Sequence, residues 1–180
     1  MNSFISTFEK LWCIDIKEHF QNGYITWEHQ LQAHLYHLLK CNLNSIFKIW
    51  IEPVLYIESN GLDKIRPDMV ITFDKKIIAI IELKVKAWEY PLFKGDIEKL
   101  ERLKSITSEQ SIDLGFIPVT NDWNKQKLIE GKNLSFSFDK QWLAIMAIIA
   151  KPDSEAFTTH QNEIKIFKGF IDNNDKIIFE

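Results

Sequence analysis

Two hydrophobic runs bounded by charges predict a buried β-hairpin near the middle of the chain. The runs extend from Met69 to Phe73 and from Ile77 to Ile81, and the polar turn Asp74-Lys75-Lys76 joins them. Runs of this length between turn residues are typical of strands that are buried on both faces. Charged residues stand at the outer ends of both runs, so the pattern places ionisable groups at the edge of a buried sheet.

A helix and an extended segment are predicted before the hairpin. Ile25 to Leu39 carries apolar residues at helical spacing, and Thr26 is a candidate N-cap. Ile46 to Ile57 is rich in β-branched and aromatic residues, which favours a strand. Pro53 interrupts this strand, as expected at a sheet edge or a bulge.

A helix and a further strand are predicted after the hairpin. Phe93 to Ile106 alternates apolar and charged residues at the spacing of an amphipathic helix. Ile112 to Val119 is predicted to be the next strand, lying parallel to the second hairpin strand because a helical crossover comes between them. The order helix, three strands, helix, strand (αβββαβ) indicates an α/β protein with a mixed sheet flanked by helices.

Additional elements are predicted at both ends of the chain. Phe4 to Phe20 has the spacing of an extra N-terminal helix, and Asp139 is a candidate cap for a buried helix that continues through Ala150. The other C-terminal elements are a short helix, a strand and a terminal hairpin, predicted at Asp122 to Glu130, Leu134 to Phe138, and Ile164 to Phe170 with Lys176 to Phe179. We therefore expect α/β additions around the central core.

Composition and charge are those of one globular domain. The chain has 180 residues and 46% hydrophobic content, which is enough to bury a substantial core, so we expect a single domain over residues 1–180. The net charge of -3 gives no overall basic character, and any nucleic-acid surface must be a local patch. Candidate contributors to such a patch are Lys84, Lys86, Lys94, Lys99, Arg102 and Lys104, although acidic residues lie between them.

The cysteine content and the N-terminal charges indicate a reducing compartment. Cys13 and Cys41 are too few for a disulfide framework. Glu9, Lys10 and Asp15 stand where a signal peptide needs an apolar core. We expect a cytoplasmic protein without a membrane partner, since the longest apolar run is too short to cross a bilayer.

The charged ends of the hairpin are the candidate functional site. Side chains two apart in a strand share a face, about 7 Å apart, so Glu82 and Lys84 project together. If the turn contains three residues, Phe73 pairs with Ile77, and Asp68 then lies opposite Glu82. A turn of two residues would shift the pairing by one and move Asp68 to the other face.

Facing carboxylates at this position favour a divalent metal ion. Asp68 and Glu82 would repel each other on buried strands unless a cation lies between them. Mg²⁺ binds oxygen ligands, so the two carboxylates and the backbone carbonyl of Leu83 are a candidate metal set. The metal would activate water and neutralise phosphate charge, and Lys84 would position that water and stabilise developing negative charge. The simpler alternative is a set of salt-bridged residues at a solvated strand rim.

The combination of Pro67-Asp68 with Glu82-Leu83-Lys84 on consecutive strands resembles the PD-(D/E)XK nuclease superfamily, which has the restriction-endonuclease-like fold. The resemblance covers about residues 24–120 and includes the order of helices and strands. It implies that Asp68 and Glu82 bind Mg²⁺ and that Lys84 orients or activates the attacking water. Many members add a glutamate from the first core helix as a metal ligand, and Glu28 stands at that place; the alternative for Glu28 is an exposed residue that complements the helix dipole.

These observations lead to two functional expectations of different kinds. The first is a nuclease dependent on Mg²⁺, with Mn²⁺ able to substitute, that hydrolyses phosphodiester bonds of DNA. The second is a noncatalytic module that binds nucleic acid or a partner protein as one subunit of a larger complex. Either function is compatible with a homodimer or with membership of a larger complex. A second possible site consists of His34, His37 and Cys41, whose spacing on one helix would suit zinc, but no other ligand cluster accompanies it.

Overall fold

A computed structural model of the protein describes residues 2–58, 62–89, 93–105, 111–115, 134–151, 164–171 and 176–180. Helices occur in three places along this part of the chain. Helix α1 (Asn2–Lys10), a π-helical segment (Leu11–Ile16) and α2 (Lys17–Gln21) follow one another without a break. Helix α3 covers Glu28–Asn42, and α4 covers Lys94–Lys104.

Within the described residues, nine strands form one mixed sheet. They are β1 (Phe47–Ile51), β2 (Val54–Glu58), β3 (Leu62–Ile65), β4 (Met69–Phe73), β5 (Lys76–Lys86), β6 (Ser111–Gly115), β7 (Leu134–Ala150), β8 (Ile164–Ile171) and β9 (Ile177–Phe179). The order across the sheet is β1-β4-β5-β7-β6-β2-β3, and β8 also pairs with β7 and carries β9 on its other edge. The protein is therefore α/β, with a mixed sheet flanked by helices, as the sequence predicts at this level.

Helices cover both faces of the central strands. On one face the N-terminal helices and α3 enclose a core that contains Phe8, Leu35 and Ile81. On the other face α4 encloses a second core that contains Leu100 and Ile80. Complete burial of one such side chain contributes about 1.5–3 kcal/mol, so both faces of β4 and β5 are held firmly between hydrophobic layers.

The turn between β4 and β5 is shorter than the three-residue turn that placed Asp68 opposite Glu82. Phe73 pairs with Lys76, which leaves Asp74 and Lys75 as a two-residue turn. Both turn residues have positive φ values, 44° and 59°. Positive φ at both central positions is the requirement of a tight hairpin turn that follows the twist of the strands.

A bulge at Ile78 restores the predicted register. Thr72 pairs with Ile77, but Ile71 pairs with Ala79, and the pairing then continues to Met69 with Ile81. Ile78 and Ala79 are consecutive residues, yet both lie in the same hydrophobic core. The alternation of side chains between the two faces of β5 therefore shifts by one residue at the bulge. Continued past Met69, the same register brings Asp68 opposite Glu82.

The strand that lies parallel to β5 is β7, and the prediction that Ile112 to Val119 occupies this place is wrong. Strand β6 pairs antiparallel with β2 and with the first part of β7. Parallel strands need a crossover connection, but this requirement does not determine which later strand pairs with β5. Residues 116–119 lie outside the described residues.

The buried helix predicted after Asp139 is also wrong, because residues 139–150 belong to β7. A short continuous apolar run has no periodicity that distinguishes a buried helix from a buried strand. Here β7 pairs in parallel with β5 on one edge and with β8 on the other, so its backbone groups are satisfied in the sheet. Asp139 instead accepts a hydrogen bond from the Gln141 N–H at 3.0 Å.

Two boundaries near the site differ from the sequence prediction. The single strand Ile46 to Ile57 is divided into β1 and β2, which lie in distant parts of the sheet. The division falls at Pro53, after Glu52 with φ 46°. Helix α3 begins at Glu28 and not near Ile25, with Trp27 rather than Thr26 at the N-cap position. The Gln30 side chain accepts hydrogen bonds from the Thr26 and Trp27 N–H groups.

Other predicted elements are confirmed. They are the N-terminal helical segment, the strands of the central hairpin, the amphipathic helix α4, the strand beginning at Leu134 and the terminal hairpin β8–β9. The short helix predicted at Asp122 to Glu130 lies outside the described residues.

Candidate metal centre

Asp68 is held at the end of β4 through its carboxylate and its backbone. The Leu83 N–H donates a hydrogen bond to Asp68 Oδ2 at 2.6 Å. The Asp68 carbonyl accepts from Gln32 Nε2 at 3.1 Å and from the Glu52 N–H at 2.9 Å. Burial raises the pKa of Asp68, the Leu83 hydrogen bond lowers it, and the negative charge of Glu28 raises it. The Asp68 carboxylate, next to α3 and β5, is therefore only partly accessible to water.

Glu82 is a buried carboxylate on the same face of the sheet as Asp68. Its exposed fraction is 1%. Lys99 Nζ donates to Glu82 Oε2 at 2.9 Å, whereas Oε1 has no hydrogen-bond partner among the residues that the structure describes. Burial and then the charge of Asp68 raise the pKa of Glu82 to about 8, and Lys99 acts in the opposite direction. A buried oxygen without a partner is costly, so Glu82 Oε1 is a candidate ligand for a further positive group.

Lys84 lies between two carboxylates from different helices. Its Nζ is 3.2 Å from Glu28 Oε2 and 3.1 Å from Asp96 Oδ2. Burial lowers the pKa of Lys84, but Asp96 and Glu28 raise it more, so the net change is upward. The ammonium group is thus kept charged and oriented at the end of β5.

The structure brings three further side chains to the site that the sequence reasoning did not assign to it. Lys99 bridges Glu82 and Asp96, the latter at 3.3 Å from Lys99 Nζ to Oδ1. Asp96 and Lys99 are i,i+3 neighbours at the border of the apolar stripe of α4. This position beside the buried face is the sequence feature that could have identified them as residues of the site. Gln32 is four residues after Glu28 and shares its helix face, but its partner is a backbone carbonyl that no motif identifies.

The donor set fits a hard cation at Asp68 and Glu82. N–H and C=O of one strand residue point toward the same neighbouring strand, so the carbonyl of Leu83 points to the side where its N–H meets Asp68. The two carboxylates, including the unpartnered Oε1 of Glu82, and this carbonyl together suit Mg²⁺, which keeps several waters. Glu28 is at the site, but its carboxylate is directed to Lys84. Within the described residues, no group of three or more His, Cys, Asp or Glu stands close enough to hold one metal ion.

The possible zinc site on α3 is not assembled in the described part of the protein. Cys41 Sγ and His37 Nε2 are 3.8 Å apart. The ring of His34 instead lies against His19, with a centroid distance of 4.5 Å. Burial lowers the pKa of His34 most, and the nearby His19 and His37 lower it further.

Comparisons of the chain with protein-family models, with curated proteins and with solved structures give no match. The described helices include none long and apolar enough to cross a membrane.

Proposed function

We propose that this protein is a nuclease of the restriction-endonuclease-like type that hydrolyses phosphodiester bonds of DNA with Mg²⁺. One observation carries the proposal: the carboxylates of Asp68, which directly precedes β4, and of Glu82, which lies within β5, share one face of the sheet. Glu82 is buried, Lys99 contacts one of its oxygens and the other has no partner among the described residues. The helices that precede and follow the strands of the hairpin region, and the Pro67-Asp68 and Glu82-Leu83-Lys84 motifs, support it. When bound, Mg²⁺ would supply the positive charge that activates water and neutralises phosphate.

The residues of the chain then have separate tasks. Asp68 and Glu82 hold the cation, and the Leu83 N–H fixes the Asp68 carboxylate in place. Lys84 orients the attacking water and stabilises negative charge on the phosphate oxygens, for which it must remain protonated. Glu28 and Asp96 keep it protonated and fix its position. They are positioning residues in this mechanism.

A second candidate function is a noncatalytic module that binds nucleic acid or a partner protein. The observation that favours it is the ion-pair network: Lys84 and Lys99 already partner Glu28, Asp96 and Glu82. A network of this kind can hold a strand edge together without any metal. The two functions differ in one measurable property, cleavage that depends on a divalent cation.

The test is cleavage of supercoiled plasmid and of single-stranded DNA with Mg²⁺, with Mn²⁺ and with EDTA. The wild type should cut with either cation and not with EDTA, and Asp68→Ala and Lys84→Ala should not cut. Lys165→Ala is the control, because Lys165 is also a strand lysine but lies on β8 and pairs with Glu9 at the surface. It should cut like the wild type.

Two results would overturn the proposal. The first is cleavage by Lys84→Ala at the wild-type rate. The second is binding of DNA by the wild type without any cation-dependent cleavage, which would favour the noncatalytic module. Melting curves of all variants show whether a loss of cleavage reflects a loss of folding.

A further inference from the structure

A basic groove opens beside the candidate metal centre, between β3 and α4. It has a volume of ≈ 400 Å³. This groove, here called the β3–α4 groove, is bordered by Lys64, Ile65, Arg66, Gly95, Glu98, Lys99 and Arg102. Four of these residues are cations and one is an acid. Such a concentration of positive charge is local, since the whole chain has a net charge of -3.

Helix geometry explains how α4 presents this charge. Gly95, Lys99 and Arg102 recur at helical spacing, so they lie along one face of the helix. Glu98, the acid that borders the groove, is 3.7 Å from Lys94 Nζ, and this pairing offsets its charge. Among the cations, Arg66 pairs with Glu52, and Lys99 pairs with Glu82 and Asp96. Lys64 and Arg102 add two further positive charges to the groove.

Lys99 and Arg66 connect the groove to the metal centre. Lys99 borders the groove and also donates to Glu82 at 2.9 Å. Arg66 stands two residues before Asp68 in the chain and pairs with Glu52. A strand of nucleic acid that follows the groove would thus bring a phosphodiester to the carboxylates of Asp68 and Glu82.

We propose that the β3–α4 groove binds the phosphate backbone of the nucleic-acid strand on one side of the bond that is cut. The inference rests on the proposed function, because it uses the metal centre as the point to which the strand leads. Cations that contact phosphates give affinity that falls with salt and depends little on base sequence. The groove would therefore position the substrate without reading its sequence.

The first experiment measures binding of a labelled DNA oligonucleotide, single-stranded and duplex, at several salt concentrations in EDTA. The groove variant is Lys64→Gln with Arg102→Gln, and the control is Lys40→Gln with Lys165→Gln, which removes the same charge from exposed lysines elsewhere on the surface. Loss of two phosphate contacts should reduce the slope of log K against log salt by about 1.4 for single strands or about 1.8 for duplex. The control should keep the wild-type slope.

The second experiment uses Gly95, where folding is not at risk. A Cβ at Gly95 meets no atom within 4 Å, and no positive φ is involved. Gly95→Gln and Gly95→Glu have nearly the same shape but differ by one charge in the groove. Gly95→Glu should bind DNA more weakly than Gly95→Gln, and the difference should decrease at high salt.

The outcomes separate this inference from the proposed function. Equal affinities of the two Gly95 variants, or an unchanged salt slope in the groove variant, would overturn the groove even if the wild type cleaves DNA. Groove-dependent binding without cleavage would support the groove and overturn the nuclease. Absence of DNA binding by the wild type at low salt would also overturn the groove.

Discussion

Replacement of Glu82 by glutamine should stabilise the protein in metal-free buffer, and the gain should increase with pH. Glutamine has the shape of the glutamate but no charge to bury. Glu82 is 1% exposed, and burial together with the charge of Asp68 raises its pKa from 4.5 to about 8. The folded protein therefore resists ionisation of this side chain, whereas the unfolded chain does not.

The sign and the size of the effect follow from this pKa. A carboxyl group with a raised pKa binds its proton more tightly in the folded state, so the free energy of unfolding decreases as pH rises from 4.5 to about 8. One pKa unit corresponds to about 1.4 kcal/mol. The raised pKa of Glu82 then lowers the free energy of unfolding by roughly 1 kcal/mol at pH 5 and by roughly 3 kcal/mol at pH 7. The attraction of Lys99 is already contained in that pKa.

The assay is urea unfolding of the wild type and Glu82→Gln at pH 5, 6, 7 and 8 with EDTA. At pH 7 the variant should exceed the wild type by about 3 kcal/mol, which corresponds to roughly 6–12 °C in Tm for a domain of this size. Glu89→Gln is the control, because Glu89 is 55% exposed in a surface pair with Lys86. Surface pairs contribute about 0–1 kcal/mol, so the control should change little.

Two results would refute the reasoning. A Glu82→Gln variant that is less stable than the wild type at pH 7 would mean that the Lys99–Glu82 pair stabilises the fold. A difference that stays constant from pH 5 to pH 8 would mean that the pKa of Glu82 is not raised by folding.

The remaining predictions concern the metal and the counter-ion of Glu82. Mg²⁺ at about ten times its Kd should stabilise the wild type by about 1.4 kcal/mol, and Asp68→Asn with Glu82→Gln should show no such gain; a Tm shift that persists in the double variant contradicts the site. Since Glu82 must lose its proton to bind a cation, the Kd for Mg²⁺ should decrease as pH rises toward about 8 and level off above it; titration calorimetry at pH 6 to 9 checks this, and a Kd independent of pH contradicts it. Lys99→Met removes a positive charge that lowers the pKa of Glu82, so the pH profile of cleavage should move to higher pH; an unchanged profile with a lower rate would mean that Lys99 acts on the substrate alone.

The sequence by itself determined the elements that carry the site. Buried strands are recognised in a sequence as continuous apolar runs, and charged residues bound the runs of β4 and β5. The two strands and the motif residues could therefore be identified without a structure. Helix α4 was predictable because its apolar residues recur at helical spacing over a sufficient length. Each of these signals is local, since it depends only on residues that are close in the chain.

Only the tertiary structure decided how these elements meet. The parallel neighbour of β5 is β7, and the apolar segment that forms it is a strand because β5 and β8 satisfy its backbone on both edges. The facing of Asp68 and Glu82 depends on a bulge at Ile78 that compensates for a two-residue turn. No local pattern encodes that bulge, since residues 77–81 are uniformly apolar.

The ion pairs and pKa shifts of the site could not be predicted from the sequence either. The motif predicts that Lys84 lies beside the carboxylates, but the ammonium group that contacts Glu82 belongs to Lys99 on α4. Which cation reaches a buried carboxylate depends on the distance between helix and sheet, and that distance is set by the side chains packed between them. The pKa of Glu82 follows from the same packing, because the hydrophobic layers that remove water from the carboxylate come from distant parts of the chain.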